Sequence, residues 1–146
     1  TAPRMRLRQT GAIIVTCWMG LNLVLALGIV VAIVVLGRHP PSLELYVEAG
    51  VRSTLHPHAL ALVDALGVFA NACAAAFCAL ALVVTWKGVV AGLRWALPSL
   101  SVIGVLLLAA GFASDACLGN PNFAVNVGSS LMLGSGLLLC ARGRSA

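Results

Sequence analysis

Asp64 is the residue of this 146-residue chain whose type and setting most need an explanation. It stands in an apolar run from about His58 to Val84 that holds no other charge. An acid at the centre of a membrane helix costs about 2.5–3.5 kcal/mol on insertion scales, so it needs protection or a task. Asn71 follows seven residues on and Cys78 seven beyond that, with Gly67 and Ala74 between them. At helical spacing these five positions form one narrow stripe, which should face other helices rather than lipid.

Other apolar runs supply partners. Asp115 closes the third, on a face shared with Ser101, Gly104, Leu108 and Gly111. Asn122, Asn126, Ser129 and Ser130 open the fourth. Asp64, Asn71, Asp115, Asn126 and His58 are the candidate ligand-binding residues. Together they would line an outward-opening polar pocket with the histidines at its mouth. The competing reading is structural: polar side chains hold membrane helices together at roughly 0.6 kcal/mol per bond.

Catalytic and metal chemistry find little support. His39, His56, His58, Glu44 and Glu48 share one side, but their spacing matches no zinc-ligand pattern. There is no Gly-x-Ser-x-Gly elbow, no His-Glu-x-x-His, no phosphate loop and no dinucleotide fingerprint. The five cysteines include no Cys-x-x-Cys, and Cys117 alone falls outside the apolar runs on the outer side. Cys140, beside Arg142, is either a structural thiol or a palmitate acceptor. The reading is therefore of a non-enzyme with no catalytic residue, metal or cofactor.

The elements that position these residues follow from composition. Hydrophobic residues make up 61% of the chain and charged ones 9%, with mean hydropathy +1.06. A soluble domain runs about 45–50% apolar and about 25% charged, so a water-facing globule is excluded. Disorder is excluded on the same ground. Nucleic-acid binding is also set aside, because the net charge of +5 is spread along an apolar chain.

A spanning helix needs about 20 apolar residues. Four stretches answer: about 11–36, 58–84, 97–113 and 123–140. None alternates with period two, as a β-barrel would. The fold expected is all-α, a polytopic membrane protein with a single four-helix transmembrane bundle. The first stretch is too long for a signal-peptide core and reads as a retained helix.

Seven basic residues (Arg4, Arg6, Arg8, Lys87, Arg94, Arg142 and Arg144) fall on one side of such a bundle, against Arg38 and Arg52 on the other. That asymmetry predicts both termini in the cytoplasm. Trp86 and Trp95 flank the second connection, where interfacial rings are favoured, whereas Trp18 reads as packing. In the outer loop, 37–57, Leu43, Tyr46, Val47 and Val51 oppose Glu44, Glu48 and Arg52. This amphipathic spacing predicts a short interfacial helix over roughly Ser42–Arg52.

Small residues are the remaining signal: the alanine-rich run 70–79, and Ser130-x-x-x-Gly134 in the fourth span. Such faces let helix backbones approach closely. They favour a small non-catalytic integral membrane protein, a subunit, assembly factor or binding module of a membrane complex. Its partners would be the lipid bilayer and another membrane protein or a second copy. The alternative is a small transporter, channel or lipophilic-ligand-binding protein using the pocket around Asp64.

Overall fold

A computed structural model describes residues 2–38, 56–117 and 122–143. The predicted interfacial helix over Ser42–Arg52 lies outside the described residues. The fold is all-α, and among the described residues there is no strand. Helix α1 spans Ala2–Val34, α2 Pro57–Val83, α3 Ala96–Cys117 and α4 Phe123–Arg142. A π-helical segment, Val84–Val89, continues α2. All four helices are long and apolar enough to cross a membrane, which makes the chain a multi-pass membrane protein.

The helix ends follow from local chemistry. Gly37 stops α1 by taking φ +61, a left-handed turn that side chains resist, and the Arg38 N–H donates back to the Ala32 carbonyl at 3.0 Å. His56 starts α2: its carbonyl accepts the Ala59 N–H at 2.8 Å and its Nδ1 accepts the His58 N–H at 3.3 Å. Pro57 then takes the first helical position, where a missing N–H costs nothing.

By its contacts the chain divides into two compact units, Thr1–Leu21 with Phe77–Ala146, and Asn22–Ala76. In the first unit the core is built from Val15 and Met19 of α1, Ala81 of α2, Thr85 of the π segment, Leu100 of α3, and Leu133 and Cys140 of α4, all essentially inaccessible. Trp18 is buried as well. Helices α3 and α4 pack along each other, and α3 also packs on the π segment. In the second unit Ala26, Ile33 and Ala75 are buried.

Glycines decide which helices touch. A Cβ on Gly104 would stand 2.5 Å from Leu133 Cδ2, so α4 packs directly over α3 at that point. A Cβ on Gly11 would stand 2.5 Å from the Gly136 carbonyl oxygen, and one on Gly143 2.6 Å from the Arg8 nitrogen. Helix α4 therefore meets the start of α1 along Gly136, Cys140 and Gly143. This is not the face expected from Ser130-x-x-x-Gly134, because Gly134 opens onto empty space.

Candidate functional site

The stripe on α2 has the predicted shielding. Asp64, Gly67, Asn71 and Ala74 are half-buried and Cys78 is buried, and the same line runs on through buried Ala81 and Thr85. Asn71 Nδ2 donates to the Gly67 carbonyl at 2.8 Å, so one of its donors is taken up by its own helix. Thr85 Oγ1 does the same at Ala81, at 2.7 Å. Thr16, Ser99, Ser101 and Ser130 also back-bond to carbonyls four residues earlier. Such bonds satisfy hydroxyls that lipid cannot. The exposed face of α2 carries Ala65, Phe69, Ala72, Ala76, Ala79 and Val83, again at alternating three- and four-residue steps.

Asp115 has a defined role at the other end of α3. It is only 3% exposed, and its Oδ1 accepts the Asn122 backbone N–H at 2.8 Å. Asn122 is the N-cap of α4, but its own side chain makes no cap bond. The carboxylate thus caps α4 from across the connection, where the helix dipole favours negative charge. Its other oxygen, Oδ2, is buried with no hydrogen-bond partner among the described residues.

Asn126 sits one turn into α4 against Gly111, where a Cβ would stand 3.2 Å from its Oδ1. Phe112 and Phe123 meet edge to face, centroids 6.2 Å apart, at the same α3–α4 end. The shielded face of α3 is the one predicted, from Ser101 through Gly104, Leu108 and Gly111 to Asp115.

Asp115 and Asn126 therefore come together in the first unit, on adjacent turns of α3 and α4. Asp64, Asn71 and His58 belong to the second unit. His58 is exposed at the start of α2, its ring stacked on that of His56 at 5.1 Å. Among the described residues no group of His, Cys, Asp and Glu is arranged to hold a metal ion. Cys140 is fully buried against Gly11, and its thiol points to the Arg8 carbonyl at 3.7 Å, which leaves no access for acylation there.

Sequence reasoning missed two roles. The cap made by Asp115 had a signal, an acid just before a short connection to the next helix. The cap made by His56 had only its place before Pro57. Compared with protein-family models, curated proteins and solved structures, the chain matches none.

Proposed function

We propose that this protein is a non-catalytic subunit, assembly factor or binding module of a membrane complex, with both termini in the cytoplasm. The observation that carries the reading is the exposed face of α2, where Ala72, Ala76 and Ala79 follow the exposed Phe69 on one line. Small side chains let a second helix approach closely enough for dispersion contacts to compete with lipid. The back-bonded hydroxyls and the capping role of Asp115 add support, since they use polar groups structurally. Native mass spectrometry of the protein extracted in mild detergent tests the reading. A partner or second copy should be retained, and the double variant Ala72→Leu/Ala76→Leu should release it. Val105→Leu, on an exposed part of α3, should not. A wild-type protein that stays a lone monomer would sink the proposal.

One observation favours the second reading, a small transporter, channel or lipophilic-ligand-binding protein. The buried, unpartnered Oδ2 of Asp115 is an acceptor with nothing assigned to it among the described residues. Asp115→Asn and Asp64→Asn separate the readings. If both fold and both abolish flux or binding, the ligand reading gains; if neither changes any such assay, the subunit reading does.

A further inference from the structure

The first unit gathers cations at one end. Arg8 is half-buried there, its backbone nitrogen beside Gly143 at the end of α4. Its guanidinium lies beside Gly92, in the turn after the π segment: a Cβ on Gly92 would stand 2.9 Å from Arg8 Nη1. Gly92 holds φ +82, so this turn suits glycine both for its backbone and for the room it leaves Arg8. Three separate stretches of chain thus meet around one arginine. They bring with them Arg4, Arg6, Lys87 and Arg142.

Among the described residues the acids are Asp64 and Asp115, and neither belongs to these stretches. Arg8 Nε is buried with no hydrogen-bond partner among the described residues. A guanidinium partly withdrawn from water without a counter-ion is costly, and its planar fork matches a phosphate. The depth is right as well. Trp95 is about half exposed just beyond the turn, and such rings settle at headgroup level, whereas the Trp86 indole N–H donates to Thr16 Oγ1 at 3.0 Å, two turns further along α1 than Arg8.

We propose that this end of the unit binds the phosphate of an anionic phospholipid, with Arg8 as the anchoring cation and its neighbours supplying the field. The chemistry recognised is a phosphate monoanion, and the membrane is the source of it at this depth. The site takes no part in helix docking and does not depend on the subunit reading.

The test uses the full chain in mild detergent, titrated with phosphatidylglycerol or phosphatidylcholine and read by native mass spectrometry. Phosphatidylglycerol should bind at least about tenfold more tightly, because only it adds a net charge for the cations. Arg8→Gln should weaken it by more than about tenfold, the scale of a lost charge-assisted hydrogen bond. Arg6→Gln, on an exposed cation, should cost about fivefold or less. Equal binding of the two lipids, or equal losses in the two variants, would overturn the proposal. Displacement of phosphatidylglycerol by millimolar inorganic phosphate would also overturn it, in favour of a free-anion site. If Arg8→Gln does not fold, the wild-type lipid selectivity and the phosphate competition still decide.

Discussion

Gly11 of α1 and Gly136 of α4 meet backbone to backbone. A Cβ on Gly11 would stand 2.5 Å from the Gly136 carbonyl oxygen and 2.7 Å from the Cys140 nitrogen. A Cβ on Gly136 would stand 2.8 Å from Val15 Cγ2. The obstacle to a side chain on Gly11 is backbone, which cannot rotate away as a side chain can. This contact ties the first helix to the last, with Cys140 filling the space beside it.

Gly11→Ala should therefore force the two helices apart and cost about 1–3 kcal/mol, the usual range for overpacking. Gly134→Ala, two residues from the crossing but facing open space, should stay within about 0.5 kcal/mol of wild type. Unfolding in mixed micelles measures both. Equal effects would mean that the crossing is not where the helices are held.

Gly37 and Gly92 provide a matched pair. Both hold positive φ, at +61 and +82. Nothing stands near a Cβ on Gly37, whereas Arg8 Nη1 stands near one on Gly92. Each alanine variant should lose about 1–2 kcal/mol for the left-handed backbone. The arginine end is flexible and can move aside, so Gly92→Ala should add little further instability. It should instead displace the guanidinium and weaken anionic-lipid binding, which Gly37→Ala should leave unchanged.

Hydropathy carries the four helices and the shielded stripe from Asp64 to Cys78, because both are one-dimensional patterns read through a 3.6-residue period. Their extents are less visible. Helix α1 begins at Ala2 although its first apolar residues come later, since arginine is a good helix former and charge does not end a helix. Trp86 and Lys87 look like a polar connection, yet the backbone stays helical through Val89 and the Trp86 indole N–H donates to Thr16 Oγ1 at 3.0 Å. Which glycines are used is set by the rotation of one helix against another. That phase is absent from Ser130-x-x-x-Gly134 taken alone. Asp115 pairs with a backbone N–H seven residues away, so sequence could identify an expensive acid but not the group that repays it.

Orientation can be read with a natural probe. Cys117 is exposed at the end of α3, and Ala91 is exposed in the turn after the π segment. Gly88 would be a poor labelling position, because a Cβ there would stand 2.5 Å from Ala96 Cβ. With both termini cytoplasmic, a membrane-impermeant thiol reagent should modify Cys117 in intact cells. In the Ala91→Cys/Cys117→Ser variant it should reach the introduced thiol only after permeabilisation. The opposite pattern would invert the orientation that the basic residues predict.

The cap on α4 separates hydrogen bonding from charge. Asp115 Oδ1 takes the Asn122 N–H at 2.8 Å, and the side chain is almost wholly buried. Asparagine keeps an acceptor oxygen at that place and gives up the charge. Two effects then oppose each other: the lost attraction to the helix N-terminus, about 0.3–1 kcal/mol, and relief from holding a desolvated charge. Asp115→Asn should accordingly unfold within about 1 kcal/mol of wild type. Leucine removes the acceptor and strands the Asn122 N–H, a loss of about 1–3 kcal/mol. Exchange of the amide hydrogens of Asn122 and Phe123 should quicken in Asp115→Leu and stay near the wild-type rate in Asp115→Asn. A leucine variant as stable and as protected as wild type would show that α4 does not depend on this carboxylate, and Asp115 would then need a ligand to account for its burial.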